Sequence, residues 1–538
     1  MNKNKTNLVR KENTKFEKNQ LIILAVILIV GFSIRLYYYE PDIPFALDNL
    51  VYFSYSADIS INGELPNYYS PANNGWPSLV GLIFSMFEFN EPIQYMQLQK
   101  LISISFSSIT PIPIFFLCRY FFGNQLSLIG ASFFAFEPRI IQNSLVGITE
   151  PLYIFLIVVV LMMFLSKNSK IVYGSFAVTA LATMVRSEGI FLFFAISVLF
   201  FVRYRKSWKV IPKYIPAIVI FVLILLPMAS YKAEIQGDDR IFGRINDAVE
   251  IHFLTPEEGS EEWNQISIDE QERINKGSYT GIGFIYTGIE NFSKFFVWSL
   301  IPVFVLFFPV GIYFVFKNMN FNKFTIIFSG ISLAIPVFYA YSVSSLDTRY
   351  LFVLYPIFCI VSVFAVETYV KKIKIKNIFL TILIVGILIS SILFLEIKKI
   401  DAEHEKESFI IAQQVVKNAT GINYYSPESQ YIKVAEMIKN WPVMPIHTPD
   451  GHFASSIIKI DANEFVSLDE FITKSEKEGL SHLVIDIDDN LPNFLLEVFE
   501  KEGDYPYLIK EFDSKEEGLV YKVKIFRIDY ERFDLFSN

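Results

Sequence analysis

The chain has 538 residues, 52% of them hydrophobic, a mean hydropathy of +0.39 and a formal net charge of −8. Its apolar residues fall in long blocks, which excludes an ordinary water-soluble domain and predicts a polytopic α-helical membrane protein. The charge is uneven, with 27 Asp/Glu against 14 Lys/Arg from Asp401 onward, so an acidic, water-facing tail is expected and nothing favours a nucleic-acid partner. Cys118 and Cys359 both lie inside apolar blocks, which argues against a disulfide framework or a thiolate metal site.

In chain order, residues 1–20 form a basic segment, and the apolar run Leu21 to Tyr38 that follows reads as an uncleaved anchor. It approaches the roughly 20 residues that cross a bilayer. An outer loop, residues 39–100, opens with the acidic turn Ala46-Leu47-Asp48-Asn49-Leu50-Val51-Tyr52. Within that loop Pro77 to Phe87 is too short to span and reads as an interfacial helix. Further crossings are centred on Leu101 to Phe121, Leu126 to Phe136, Pro151 to Leu165, Ile171 to Met184, Ile190 to Val202 and Ile215 to Ser230. After a second outer loop, residues 231–294, they resume at Phe296 to Phe316, Phe324 to Tyr341, Tyr350 to Val366 and Ile378 to Leu395. The total is about 11 transmembrane helices over residues 21–396. The second loop contains Ile241, Phe242, Ile245, Val249 and Phe253 at helical spacing, a surface lid or rim. Residues 397–538 change pattern to a small soluble α/β domain. Helix starts are read at Ser426-Pro427-Glu428 and Ser467-Leu468-Asp469-Glu470, a buried strand at His482 to Ile487 and an alternating one at Gly518 to Ile528.

Cytoplasmic loops collect Lys and Arg. The basic N-terminus, Arg203-Tyr204-Arg205-Lys206, Lys317 to Lys323 and Lys371-Lys372-Ile373-Lys374 all fall on one side of eleven crossings. The expected location is the cell membrane, with the N-terminus cytoplasmic and both the 231–294 loop and the C-terminal domain extracytoplasmic.

Charge kept close to the membrane is where a multi-pass protein reveals its function, because an unpaired ion at the bilayer centre costs about 2.5–3.5 kcal/mol or more. Four such places fall on the outer side: Asp48 with Tyr52 one helical turn on; Glu137-Pro138-Arg139 followed by Thr149-Glu150-Pro151; the turn Arg186-Ser187-Glu188; and Asp347-Thr348-Arg349-Tyr350. Each has a structural explanation. Asp48 can cap the helix that begins at Asn49, Glu150 before Pro151 is a good helix start, Arg186 and Glu188 can form a turn ion pair, and Arg349 can be a snorkelling anchor. Their shared placement on one rim is harder to attribute to capping alone.

The order of these segments resembles the GT-C superfamily of membrane glycosyltransferases, the group of dolichyl-phosphate-mannose protein mannosyltransferases and aminoarabinose transferases. The matching stretches are Asp48-Asn49-Leu50-Val51-Tyr52 with Gly63-Glu64-Leu65-Pro66, Asn74-Gly75-Trp76-Pro77, and Glu137-Pro138-Arg139 with Gly147-Ile148-Thr149-Glu150-Pro151. Met184-Val185-Arg186-Ser187-Glu188-Gly189 and Thr348-Arg349-Tyr350 with Pro356 complete the set. The resemblance implies a GT-C-like fold and transfer of a sugar from a polyprenyl-phosphate (dolichyl-phosphate-type) donor to a protein, lipid or glycan acceptor at the outer face of the bilayer. It implies that Asp48 is the catalytic residue, as general base or as the group that orients the acceptor, and that Arg349, Arg186 and Arg139 hold the donor phosphate. Tyr52, Glu150 and Glu188 would contact the acceptor or substrate, and Asp48 and Glu150 are candidate ligands for a divalent cation, Mg or Mn, although no cofactor is required. Two departures stand out: no Trp-Trp-Asp-Tyr-Gly stretch occurs in the C-terminal domain, and Asp48 is followed by Asn49 instead of an acid. An oligosaccharyltransferase-like enzyme is the nearest alternative. A transporter or lipid flippase is the alternative of another class, but transporters place ionisable groups near the midplane in two related halves, and no halves repeat here.

The orientation is checked at the acceptor sequons. Glycan at Asn291 or Asn418, expressed in a host that modifies sequons on the outer face, is the expected outcome; modification at Asn4 contradicts it.

Overall fold

An apolar segment in lipid has to satisfy every backbone N–H and C=O internally, which leaves the helix as its stable form. The computed structural model describes residues 18–236 apart from 68, 70, 72, 206 and 207, and residues 281–398, 402–423, 429–443, 455–487 and 491–537. The basic segment before Lys18, the Ile241 to Phe253 stretch and Ser426-Pro427-Glu428 lie outside the described residues. The chain divides into two compact units, one of residues 1–39, 72–77 and 100–398, the other of residues 40–71, 78–99 and 399–538.

The first unit is helical throughout. It comprises α1 (Lys18–Tyr37), most of α4 (Pro92–Ile109), α5 (Pro111–Cys118), α6 (Asn124–Ala135), α7 (Pro138–Ser144), α8 (Glu150–Phe164), α9 (Ser169–Val185), α10 (Gly189–Tyr204) and α11 (Val210–Gln236). It continues with α12 (Gly281–Ser299), α13 (Phe308–Lys317), α14 (Phe321–Ser342), a 3-10 turn (Thr348–Leu354), α15 (Tyr355–Val370) and α16 (Lys376–Ile397). Among the described residues six helices are long and apolar enough to cross a membrane. The sequence pattern predicts about eleven crossings. The shortfall is one of length, since α8, α9, α10 and α13 are apolar but run only 10 to 17 residues. The segment Thr348–Val370 is 89% buried and apolar on every side, as a central helix must be. In α1, α11 and α16 only 17 to 22% is buried, so their Leu, Ile and Val rows face outward. Arg35, at the last turn of α1, is wholly buried and donates to Gly31 O, Ala135 O and Ser107 Oγ at 2.8 to 3.1 Å, tying α1 to α4 and the end of α6.

The second unit joins the first outer loop to the C-terminal residues. Its α2 (Asp48–Asn62) packs Ser56 and Ile59 against Gly81 of α3 (Gly75–Phe84). Phe53 and Tyr95 flank the Trp441 ring at centroid distances of 6.3 and 5.8 Å, and Lys406 pairs with Glu40 at 3.0 Å. The sheet consists of β1 (Gly421–Asn423), β2 (Ile458–Ile460), β3 (His482–Asp486), β4 (Leu508–Asp513) and β5 (Val523–Ile528) in the order β2-β1-β3-β5-β4. The first three strands are parallel and β5 and β4 run antiparallel, with His482 opposite Arg527. α19 (Leu468–Ser475) begins where Ser467 Oγ accepts from the Glu470 N–H, and with α20 (Asn493–Glu500) it covers the core of Leu483, Ile485, Phe471, Leu495 and Phe526. α17 (Ala402–Asn418), α18 (Ser429–Asn440) and α21 (Tyr530–Ser537) complete the unit. The sequons at Asn291 and Asn418 differ in presentation: Asn291 lies within α12 and donates to Tyr341 O, whereas Asn418 is exposed at the end of α17.

Buried His482 sits between Ser481 Oγ, 2.8 Å from its Nδ1, and Glu511 Oε2, 3.3 Å from its Nε2. Burial lowers its pKa below the ordinary 6.5, outweighing the upward pull of Glu511. The folded state therefore binds this proton less readily than the unfolded chain, so its stability contribution is full above pH 6.5 and falls as pH drops below it. His482→Gln, which keeps a donor for Glu511, is expected to flatten the fall in melting temperature between pH 7.5 and 5.5; an unchanged slope assigns that dependence to other groups.

Candidate functional site

α8 starts where its sequence says it should: Pro151 fixes φ for the first turn and Glu150 places a carboxylate at the positive end of the helix. α9 packs beside it and stops at Arg186, which turns to extended backbone, φ −146°. The Gly189 N–H closes the turn on Arg186 O at 2.9 Å, and a Cβ on Gly189 would lie 2.7 Å from Thr183 N, so the tight turn needs glycine. This backbone carries the Arg186 guanidinium to the head of α8. Nη1 donates to Glu150 Oε1 at 2.6 Å and to Thr149 Oγ1 at 3.2 Å, and Nη2 donates to Glu188 Oε1 at 3.0 Å. The Thr149 hydroxyl donates onward to Glu150 Oε2 at 3.3 Å. Glu150 is 5% exposed. Two carboxylates thus share one guanidinium, Glu150 in a nearly dry setting and Glu188 partly exposed.

A segment within the 39–100 loop, Asn73 to Trp76, walls this cluster. Ser187 N–H donates to Asn73 Oδ1 at 3.4 Å, and Gly75 packs so closely that a Cβ there would sit 2.5 Å from the Met184 carbonyl carbon. The next residue, Trp76, is fully buried, and its Nε1 has no hydrogen-bond partner among the described residues. The Tyr153 hydroxyl, one turn along α8 from Glu150, is likewise buried without a partner; its ring centroid is 5.9 Å from Arg186 Cζ.

The 3-10 turn that carries Arg349 packs against α8. Asp347 caps it, accepting from the Arg349 N–H at 2.8 Å and from Nε at 2.5 Å, and both side chains are just over a third exposed. Arg139 is used differently. Its Nη1 donates to Ile301 O and its Nη2 to Trp298 O at 3.0 Å, and its guanidinium lies over the Trp298 and Phe394 rings. Glu137, wholly buried 3.8 Å from Arg139 Nη1, has no hydrogen-bond partner among the described residues. This group clamps α7 to the chain after α12.

Asp48 and Tyr52 belong to the second unit. Asp48 is exposed and is the first residue of α2; the N-cap position is Leu47, with no side-chain capping bond. Leu47 and Ser344 are the two non-glycine residues with positive φ among the described residues, at 54° and 57°, a strain of about 1–3 kcal/mol each. One immediately precedes Asp48 and the other begins the loop to Arg349.

Of the residues singled out by sequence, the fold brings Glu150, Arg186 and Glu188 into one cluster, pairs Arg349 with Asp347 and engages Arg139 with main chain. Sequence reasoning missed Tyr153, Asn73 and Trp76 as parts of the site. The spacing of Tyr153, three residues beyond Glu150 on a helix, was the available signal. No group of three or more His, Cys, Asp or Glu gathers among the described residues. Both oxygens of Glu150 are already engaged by Arg186 and Thr149, so the residues around it do not fit a cation.

Residues 83–231 match the family model described as dolichyl-phosphate-mannose-protein mannosyltransferase, a stretch that contains Glu150, Tyr153, Arg186 and Glu188 but neither Asp48 nor Arg349. No curated protein sequence matches the chain. Among solved structures, ArnT from Cupriavidus metallidurans, bound to undecaprenyl phosphate, is similar with a TM-score of 0.55 and 10% identity over 95% of this chain and 98% of that one. The Archaeoglobus fulgidus oligosaccharyltransferase, in a complex with Zn and sulfate, is similar with a TM-score of 0.54 and 12% identity over 93% and 72%. The archaeal oligosaccharyltransferase AglB from Archaeoglobus fulgidus, bound to an inhibitory peptide and a dolichol-phosphate, gives a TM-score of 0.53 and 11% identity over 92% and 72%. What is shared at these identities is the fold, and it is the GT-C fold that the sequence resembles.

Arg186→Met takes the guanidinium from the buried Glu150 carboxylate, so a loss of about 3–5 kcal/mol is expected. The double variant Arg186→Met, Glu150→Gln should recover part of the melting temperature in detergent. No recovery would mean that Arg186 acts by packing alone.

Proposed function

We propose that this protein is a membrane glycosyltransferase that moves a sugar from a polyprenyl-phosphate donor to an acceptor hydroxyl or amide at the outer membrane surface, with eleven crossings and a cytoplasmic N-terminus. The observation that carries the reading is the Glu150–Arg186–Glu188 cluster, with Glu150 buried, on helices of a GT-C fold. Structural neighbours that hold undecaprenyl phosphate, or dolichol-phosphate with a peptide, support it.

In the reaction the acceptor oxygen or nitrogen bonds to the anomeric carbon as the bond from that carbon to the phosphate oxygen breaks. The acceptor proton passes to a base, and polyprenyl phosphate departs with the bonding electrons. A carboxylate in hydrogen-bond reach of the acceptor serves as base, and Asp48 is assigned that part. The departing phosphate gains charge, so a guanidinium fork stabilises the transition state more than the ground state. Arg349 is assigned to the phosphate because it is partly exposed and its Nε edge is steadied by Asp347. Arg186 is divided between two carboxylates, and it organises Glu150 and Glu188 for the sugar or the acceptor. The archaeal oligosaccharyltransferase neighbours favour a second reading, transfer of a whole lipid-linked glycan; the missing Trp-Trp-Asp-Tyr-Gly stretch weighs against it.

Asp48→Asn is expected to lower kcat at least about a hundredfold while leaving donor binding intact, and Arg349→Gln to raise the donor KM. Near wild-type turnover by Asp48→Asn contradicts the assigned base. Because guanidinium groups supply the counter-charge, chelator should leave the rate within about twofold; a loss restored by Mg or Mn would assign a metal role to the carboxylates.

A further inference from the structure

The Tyr153 hydroxyl is a polar group that the fold buries and does not use. Tyr153 is 1% exposed, its OH has no hydrogen-bond partner among the described residues, and it lies within electrostatic reach of both Arg186 and Glu188. A buried hydroxyl left unpaired costs free energy that a phenylalanine at the same place would avoid. Its position is equally specific: three residues beyond Glu150 on α8, with its ring beside the guanidinium that joins Glu150 to Glu188.

The surrounding charge says what kind of group completes it. Both Nη atoms of Arg186 already donate to the carboxylates of Glu150 and Glu188, so this guanidinium offers no open fork to a phosphate, and a phosphate oxygen beside two carboxylates is a poor partner for this hydroxyl. A neutral hydroxylated group suits it, because sugar hydroxyls both donate and accept: they can donate to carboxylate oxygens and accept from a phenol O–H. We propose that Tyr153 is a binding residue for the sugar of the lipid-linked donor, hydrogen-bonding one of its hydroxyls, while the phosphate is held elsewhere. This rests on the donor class proposed above and adds to it the place where the sugar is read. Tyr153 would then discriminate among sugars by the hydroxyl it meets, since a site built to hydrogen-bond a hydroxyl rejects an analogue lacking it far better than an apolar wall can.

The test compares wild type and Tyr153→Phe, purified in detergent, for affinity toward undecaprenyl phosphate without a sugar, undecaprenyl-phosphate glucose and undecaprenyl-phosphate mannose, alongside the melting temperature of the unliganded protein. The expected result is unchanged affinity for the sugar-free lipid, a loss of about three- to tenfold for the better-bound sugar lipid, and a melting temperature that holds or rises. Equal loss on all three lipids, no loss on any, or a lower melting temperature would each overturn the proposal. These outcomes would show, respectively, that the hydroxyl serves the phosphate, serves nothing, or has a structural partner. If wild type binds none of the three lipids, the donor class itself fails, an outcome separate from the others.

Discussion

One arginine, Arg186, holds the first unit's polar centre together. It reaches from the end of α9 to the first residue of α8 and back to its own turn, and both contacts are short charge-assisted bonds, the one to Glu150 in a nearly dry setting. Such an arrangement is not a cheap source of stability, since taking ions out of water consumes most of what their attraction returns. Its physical effect is to fix geometry: the α9–α10 turn, the Asn73–Trp76 wall and the head of α8 are held in one mutual placement. The close approaches of Gly75 and Gly189 to backbone have the same consequence.

That constraint divides the arginines by task. Arg139 satisfies two carbonyls between aromatic rings and belongs to the packing of the bundle. Arg186 orders acids. Arg349 stands on a 3-10 turn beneath a strained loop, partly exposed. Strained backbone persists where its surroundings over-determine it, and here it marks Leu47 and Ser344, the approaches to the acid and the arginine assigned to chemistry.

Much of this was legible in the amino-acid order because the relevant signals are local. The apolar blocks required helices, Thr149-Glu150-Pro151 marked a helix start, and an Arg-Ser-Glu turn between two apolar runs marked buried charge. The GT-C resemblance held at the level of fold because it rested on the order of such marks. What was not legible depends on contacts distant in sequence. Nothing local says that Arg139 finds carbonyls 159 and 162 residues away, or that the loop carrying Asp48 groups with residues 399–538. Tyr153 was invisible for a different reason: inside an apolar helix it reads as one more aromatic, and only the lack of a partner for its hydroxyl sets it apart.

The central claim is that this fold cleaves the bond between a sugar and a polyprenyl phosphate. Incubating the detergent-purified wild-type protein with a panel of radiolabelled polyprenyl-phosphate hexoses and membrane extract as the acceptor source tests it most directly. Release of free polyprenyl phosphate, with label appearing on an acceptor for at least one member of the panel, is the expected result. Binding of those lipids without turnover, across the panel and with acceptor present, would contradict it.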